Sequence, residues 1–145
     1  MKFILTGHGP FAEGLSGAAK MVGGVNPILD VVPFLDDEAS IFGERLRSRI
    51  REAGIASPDG AVVFCDLIGG TPFNQAMLEA TSFDNIEVVA GTNLPMLLEC
   101  LLTYSLGDSA QDVARKAVDA GRSGVVDGKV VVANKHDENL EMDGI

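Results

Sequence analysis

Residues 61–73, AVVFCDLIGGTPF, join an apolar strand, a glycine loop and the start of a helix. The run from Ala61 to Asp66 is rich in β-branched and aromatic residues, which favour a buried strand. Thr71 can cap a helix, and Pro72 fits the first turn, where a missing N–H costs nothing. A strand followed at once by a helix is the unit of a parallel sheet, so this stretch predicts a doubly wound α/β fold.

The same alternation continues on both sides of this stretch. Strands are predicted at residues 3–6, 28–33 and 86–91, and segments of helical period lie between them. A further helix is expected from residue 108 or 109 to residue 121. We therefore expect four parallel strands in the order 2-1-3-4, packed between helices in a three-layer sandwich.

The segment 124–132, GVVDGKVVV, admits two structures. Asp127 and Gly128 between valine runs favour the tight turn of a small hairpin, and a single strand is the alternative. The acidic tail at residues 136–145 is expected to be only partly ordered. Because we find no repeat, linker or low-complexity tract, we expect one domain at residues 1–135, followed by this tail.

Composition and charge exclude several classes of protein. The 145 residues with 46% hydrophobic content suffice for one packed core. A formal charge of −10 argues against nucleic acid or an anionic membrane as the main partner. The longest apolar stretch, residues 93–106, is too short to span a membrane, and the N-terminal residues lack a signal-peptide core. We therefore expect a cytoplasmic protein.

Neither the cysteines nor the acidic runs predict a metal site. Cys65 and Cys100 are isolated, so a disulfide or a zinc site has no support, and both are expected to be reduced core thiols. The acidic runs 36–38 and 137–143 lack the ligand spacing of a calcium loop. We expect no metal and no cofactor.

Two loops follow the strands that flank the reversal of strand order. They are residues 6–10, TGHGP, and residues 66–73, DLIGGTPF. Ligands of open α/β sheets bind at this edge, so we expect His8 and Asp66 to lie close together. A carboxylate bonded to one ring nitrogen would fix the tautomer and leave the other nitrogen free as a nucleophile.

Glycines surround both candidate residues. Gly7 and Gly9 allow a sharp turn and leave the imidazole uncrowded. Gly69 and Gly70 allow main-chain N–H groups to face an anion, and the Thr71 hydroxyl and the following helix N-terminus add donors. The two loops together predict a phosphohistidine site without a metal, in which Gly9, Gly69, Gly70 and Thr71 surround the phosphoryl group.

Each loop taken alone has a simpler structural explanation. Asp66 could cap the turn after its strand, and residues 69–72 could be a loop and a helix cap. A lone histidine is more often structural or solvated, which is also the expectation for His136 in the polar tail. The placement of both loops at one sheet edge favours the functional interpretation.

Three other functions fit parts of the sequence. Residues 7–12 match G-x-G-x-x-A, and Asp30 is a candidate ribose contact, but Pro10 removes an N–H that a dinucleotide would need. A histidine phosphatase needs arginines to clamp the phosphate, and neither loop contains one. The remaining class is a non-catalytic interaction module, which an unreactive His8 would support.

Three segments in order resemble the IIA components of the mannose-type sugar phosphotransferase system. Residues 4–15, ILTGHGPFAEGL, resemble the phosphorylated-histidine loop of that family, and residues 66–76, DLIGGTPFNQA, resemble its aspartate-glycine-glycine loop. Residues 88–99, VVAGTNLPMLLE, are similar to the segment after its fourth strand. The correspondence spans nearly the whole chain, so the combination is more specific than any single motif.

The resemblance implies that His8 accepts phosphate from the phosphocarrier protein HPr and passes it to a histidine of a separate IIB component, which serves a membrane IIC/IID complex. It implies that Asp66 bonds the imidazole. It also implies a homodimer that exchanges an antiparallel strand, taken from residues 124–132, in place of the isolated hairpin. Leu67 departs from the family, since many members carry a hydroxyl residue there.

Two finer expectations follow. The TGHG, GGTPF and GTNL motifs and the ending in Gly144-Ile145 look most like the N-acetylgalactosamine or galactosamine branch of the family. Transfer between two histidines also needs an apolar docking surface around His8. Candidates for that surface, of which the last is better explained as core, are Phe11, Leu67, Ile68 and Phe73.

Overall fold

The sheet of this protein has four parallel strands in the order β2-β1-β3-β4. The computed structural model describes the backbone of residues 1–143 and the side chains of residues 1–138. The strands are β1 (Lys2–His8), β2 (Leu29–Phe34), β3 (Ala61–Cys65) and β4 (Ile86–Val89). The predicted strand order and the doubly wound α/β class are confirmed.

Helices cover both faces of the sheet. Their bounds are α1 (Phe11–Gly23), α2 (Ala39–Ala56), α3 (Thr71–Ala80), α4 (Leu94–Thr103), α5 (Ala110–Ser123) and α6 (Gly128–Asp143), with a 3-10 turn at Asp36–Glu38. The first, fourth and fifth helices pack on one face, and the second and third pack on the other. Within residues 1–143, no helix combines the length and the apolar character that a membrane crossing requires.

Strand β3 lies between the helices on the two faces of the sheet, and all five of its residues are buried. Successive side chains of a strand point to opposite faces. Val62 and Phe64 therefore face α1, α4 and α5, and Val63 and Cys65 face α2 and α3. In the parallel pairing of β1 with β3, Thr6 lies opposite Cys65, so the carboxyl ends of the two strands are side by side.

The starts of α3 and α4 lie where the sequence predicts them, but the cap residue of α3 differs by one position. Asn93 accepts a hydrogen bond from the Met96 N–H (3.1 Å) and so caps α4. At α3 the N-cap is Gly70, in extended conformation, and Thr71 is the first helical residue. The expectation that Thr71 is the cap was wrong by one residue, since Thr71 and Pro72 together occupy the first turn, where proline is well tolerated.

The segment 124–132 is neither hairpin nor strand in this structure, and both expectations were wrong for the single chain. Helix α6 begins within it because Asp127 acts as a helix cap. The Asp127 carboxylate accepts from the N–H groups of Lys129 (2.9 Å) and Val130 (3.3 Å). Helix α6 then continues across the boundary expected at residue 136, and the Gly144-Ile145 ending lies outside the described residues.

Candidate functional site

His8 is the last residue of β1 and lies at the carboxyl edge of the sheet. The chain turns immediately after it at Gly9, whose φ of 55° is in the left-handed region that glycine tolerates. The His8 side chain is 46% exposed, and its ring packs edge-on against Phe34, with centroids 5.4 Å apart. The imidazole is therefore supported on one side and open to solvent on the other.

Asp66 holds His8 at two points. One carboxylate oxygen, Oδ2, accepts from the His8 backbone N–H (2.9 Å) and lies 2.9 Å from ring Nδ1. The predicted proximity of the two residues is confirmed. An ionised carboxylate only accepts hydrogen bonds, so Nδ1 carries the ring proton and Nε2 keeps its lone pair.

The local environment keeps the Asp66 carboxylate ionised. Burial by itself would raise the pKa of Asp66, but hydrogen bonds from the backbone and ring of His8 and attraction to its charged form outweigh burial. The net effect is a pKa of Asp66 below its usual range. The site therefore has a negative charge at Nδ1 at neutral pH.

Gly7 allows Asp66 to come this close. A Cβ at position 7 would lie 2.9 Å from Cγ of Asp66 and 2.5 Å from the Phe11 ring. From the sequence, both Gly7 and Gly9 are expected to form the turn. In the structure Gly9 forms the turn, and Gly7 allows the close approach of Asp66. This distinction depends on the position of Asp66, which sequence alone does not supply.

The loop of residues 69–71 faces the free nitrogen of the ring. A Cβ at Gly70 would lie 2.8 Å from His8 Cε1 and 3.6 Å from Nε2. Among the described residues, the N–H groups of Gly69 and Thr71 have no hydrogen-bond acceptor within the chain. Because α3 begins at the same place, its N-terminal partial charge adds to the attraction for an anion.

Gly9 differs from the other predicted phosphate ligands. Its N–H donates to the carbonyl of Phe34 at 2.8 Å, as a continuation of the β1-β2 pairing. The Gly9 amide is therefore already used, and the residue contributes the turn and the open space beside the ring.

The neighbouring thiol is not a second nucleophile. Burial, followed by the negative charge of Asp66, raises the pKa of Cys65 to about 12. Cys65 and Cys100 are both free and buried, which confirms the prediction of reduced core thiols. His8 is thus the nucleophilic side chain that this edge exposes.

The predicted docking residues divide into two pairs. Leu67 and Ile68 are 56% and 73% exposed and lie in the loop that contains the Asp66 contact. Phe11 and Phe73 are half-buried and pack against the two core clusters. Of the four candidates, Leu67 and Ile68 therefore supply exposed apolar surface in the loop that also contains the contacts with His8.

The structure adds Phe34 and Thr92 to the residues that sequence reasoning singled out. Phe34 packs on the His8 ring. Thr92 is buried and donates to the carbonyl of Cys65 from its hydroxyl (2.8 Å) and its N–H (3.1 Å). Its position after β4, the strand next to β3, was the available signal, because the carboxyl ends of neighbouring parallel strands share one edge.

A dinucleotide site and a metal site are the two other kinds of site to compare with the structure. Asp30 pairs with Ile4 inside the sheet and forms an ion pair with Arg49 (3.3 Å), so it lies away from the glycines at residues 7–9. This position does not suit the ribose contact of a dinucleotide. Among the described residues, no group of three or more His, Cys, Asp and Glu side chains is placed to hold a metal ion.

Fold and site together define a class of doubly wound α/β proteins. In this class a histidine is exposed at the point where the strand order reverses. A carboxylate orients its ring, and a glycine loop and a helix N-terminus lie beside it. A family model described as the PTS system fructose IIA component, EIIA-man, matches residues 2–118. The chain belongs to this family of phosphotransferase-system (PTS) IIA components, whose members are phosphotransferases. The family identified from the sequence motifs is thereby confirmed.

Individual relatives agree with the family. The chain is 31% identical to the PTS system mannose-specific EIIAB component of Escherichia coli K12 over 123 residues, which are 84% of this chain and 38% of that protein. It is 31% identical to the PTS system fructose-specific EIIA component of Bacillus subtilis over 99 residues, 68% of this chain and 66% of that protein. The chain thus spans well under half the length of the E. coli relative.

Solved structures also share the fold. A mannose/sorbose-specific IIA subunit from Enterococcus faecalis superposes with a TM-score of 0.76 at 28% identity, covering 87% of this chain and 92% of that subunit. A phosphotransferase system component EIIA from Streptococcus agalactiae gives a TM-score of 0.76 at 25% identity, covering 89% and 98% of the two chains.

Proposed function

We propose that this chain is a cytoplasmic phosphohistidine carrier, with residues 1–135 as its IIA domain, which accepts a phosphoryl group from HPr on His8 and passes it to a IIB component. The observation that supports this most directly is the double contact of Asp66 Oδ2 with His8. That contact leaves Nε2 facing the loop at Gly70. Membership in the IIA family supplies the reaction class and the kind of partner.

The proposed step is an in-line displacement at phosphorus. The Nε2 lone pair of His8 forms a P–N bond as the bond to the donor imidazole breaks, and the electron pair of the broken bond returns to the donor ring. The Nδ1 proton stays between the ring and Asp66. The phosphorylated ring therefore gains positive charge, which the ionised carboxylate balances. The same step in reverse, with IIB as acceptor, discharges the carrier.

The glycine loop is proposed to stabilise the phosphoryl oxygens. The N–H groups of Gly69 and Thr71, the Thr71 hydroxyl and the N-terminus of α3 are the donors, and Gly70 supplies the space beside Nε2. Gly9 contributes room and not its N–H. Leu67 offers no hydroxyl, so Thr71 is the hydroxyl residue that this loop brings to the site.

Leu67 and Ile68 are proposed to form the apolar contact with HPr and IIB. Both side chains are exposed in the loop beside His8, where a partner must approach closely for two imidazoles to align. For the sugar, we propose the N-acetylgalactosamine or galactosamine branch on the strength of the sequence motifs, with a membrane IIC/IID complex that selects it.

The test of the carrier role is incubation of the chain with phosphoenolpyruvate, enzyme I and HPr, followed by mapping of acid-labile phosphate. Stable label on His8 that a IIB protein removes is the expected result. Rapid loss of the label to water without IIB would favour a phosphatase. Absence of label would favour a passive interaction module.

Gly70→Ala is expected to slow phosphoryl acceptance by about tenfold or more, because the added methyl group lies against the ring edge that must reach phosphorus. The backbone at Gly70 has φ −72° and ψ 166°, which alanine adopts without strain, so the thermal stability should change little. Rapid-quench kinetics with phosphorylated HPr measures the rate.

The matched control for this variant is Gly17→Ala, because a Cβ there meets nothing within 4 Å. That variant should keep the wild-type rate, and its helical position should make it slightly more stable. Equal rates for Gly70→Ala and the wild type would place the reacting nitrogen away from this loop.

We further propose that the chain is a homodimer in which residues 124–132 cover the β4 edge of the partner. Within the described residues, the outer edge of β4 has no strand beside it. A groove of about 830 Å³ runs along that edge, and its lining includes Val88, Met96 and Val118. Val130 and Val132 are 54% and 68% exposed in the single chain, so a second copy would bury apolar surface on both sides.

Sedimentation equilibrium tests the dimer. The wild-type chain should have twice the monomer mass of 15.2 kDa at micromolar concentration, and the double variant Val130→Asp/Val132→Asp should be a monomer. The double variant Val22→Asp/Val25→Asp introduces the same two charges at residues that are 64% and 78% exposed elsewhere on the surface, and it should remain dimeric. A wild-type chain that stays monomeric at all concentrations would overturn the proposal.

A further inference from the structure

Apart from His8, the Asp66 carboxylate is stabilised by the neighbouring backbone of Leu67. Its Oδ2 atom bonds to His8, which is the group that it has to orient. Its Oδ1 atom is buried and has no partner among the described residues. Since Oδ1 has no partner and Leu67 follows Asp66 directly in the chain, the direction of the Cys65–Asp66 peptide contributes to where Oδ2 lies.

Thr92 holds that peptide. The pairing of β3 with β4 ends at Phe64 opposite Val89, one residue before Cys65. Beyond that point the Cys65 carbonyl accepts two hydrogen bonds from Thr92, from the hydroxyl at 2.8 Å and from the N–H at 3.1 Å. Thr92 therefore supplies, at the residue before Asp66, the hydrogen bonds that a longer β4 would make.

Thr92 is itself held rigidly. It is 6% exposed, and the next residue, Asn93, caps α4 and donates to the carbonyl of Gly121 at 2.9 Å. Asn93 thus ties the loop after β4 to both α4 and α5. Because these contacts hold the loop, the Thr92 hydroxyl keeps a fixed position relative to the Cys65 carbonyl.

We propose that Thr92 is a positioning residue for the phosphoryl transfer assigned above: its hydroxyl sets the Cys65–Asp66 peptide so that Oδ2 meets Nδ1 of His8. This inference rests on the proposed function for its kinetic consequence. Its structural part, the orientation of the His8 ring, stands independently of any partner.

Thr92→Val removes the hydroxyl at nearly constant volume and leaves the N–H to satisfy the Cys65 carbonyl. The variant is therefore expected to fold, and circular dichroism melting checks this. The maximal rate of His8 phosphorylation should fall by about three- to tenfold, the effect of one buried hydrogen bond, with KM for phosphorylated HPr unchanged. Thr92→Ser keeps the hydroxyl and should restore most of the rate.

Thr103→Val is the matched control. The Thr103 hydroxyl also donates to a backbone carbonyl, that of Glu99 at 2.8 Å, but it lies at the far end of α4 from Asn93. Its loss should leave the transfer rate unchanged. An equal loss in both variants would mean that the effect is one of general stability and would overturn the proposal.

A double-mutant cycle tests whether Thr92 acts through Asp66. In an Asp66→Asn background, Thr92→Val should cause no further loss of rate, because the group that it positions has lost its charge. A full three- to tenfold loss in that background would show that Thr92 acts elsewhere and would overturn the proposal.

Nitrogen-15 NMR of the unphosphorylated ring gives a readout that needs no transfer. The neutral His8 ring of the wild-type chain should carry its proton on Nδ1, and Thr92→Val should shift part of the population to the Nε2–H tautomer. An unchanged tautomer ratio would overturn the positioning role. If HPr fails to phosphorylate the wild-type chain, the carrier proposal fails and this measurement still decides the role of Thr92.

Discussion

Replacing His8 by glutamine is expected to abolish phosphoryl acceptance from HPr while leaving the fold intact. Glutamine has no nitrogen lone pair that can form a P–N bond, so the loss should be complete and not a reduction in rate. The side chain at this position is nearly half exposed and lies at a strand end, so the free energy of unfolding should change by no more than about 1 kcal/mol. Acid-labile phosphate after incubation with phosphoenolpyruvate, enzyme I and HPr measures acceptance, and denaturant unfolding measures the fold.

The chain provides its own control for this experiment. It contains two histidines, and His136 is exposed on α6, without the carboxylate and glycine loop that surround His8. His136→Gln should therefore accept phosphate at the wild-type rate. Label that persists in the His8→Gln chain, or that maps to His136, would contradict the proposed carrier role.

The sheet could be predicted from sequence because its signals are local. Strand β3 is an uninterrupted apolar run between Gly60 and Asp66, and such a run has few other places to lie than the centre of a parallel sheet. The residues 124–132 show the limit of that reasoning. An aspartate before a glycine can start a tight turn or cap a helix, and the choice depends on surfaces that the local sequence does not contain.

Much of the site also followed from sequence, since strand order alone places the ends of β1 and β3 side by side. That adjacency predicted the meeting of His8 and Asp66. The contacts that depend on register could not be predicted. Examples are the use of the Gly9 amide by the carbonyl of Phe34 and the close approach of Gly7 to Asp66.

Thr92 shows the same limit in another form. A threonine between a glycine and an asparagine after a strand is typical of many loops. Its importance arises because β4 stops one residue short of Cys65, which only the paired register of the two strands reveals. Positioning residues of this kind act through a backbone carbonyl, so no chemical pattern in the side chains marks them.

Asp66→Asn is expected to slow phosphoryl acceptance by about a hundredfold, while Gly70→Ala and Thr92→Val have smaller effects. Asparagine has nearly the same shape, and its carbonyl oxygen can still accept from the His8 N–H and Nδ1. What it lacks is the negative charge that balances the ring as the P–N bond forms. Its amide group can also turn a donor toward Nδ1, which favours the wrong tautomer.

Asp30→Asn separates this local charge effect from a change in net charge. Asp30 loses the same unit of charge, but its carboxylate pairs with Arg49 away from the histidine loop. Its removal should leave the single-turnover rate with phosphorylated HPr unchanged. If Asp66→Asn were as fast as the wild type in the same rapid-quench assay, Asp66 would be a turn cap, and the charge balance proposed for the phosphorylated ring would be wrong. A slow Asp66→Asn chain that still folds and binds HPr with unchanged affinity would instead assign the loss to the transfer step itself, through the lost charge and the altered tautomer of the His8 ring.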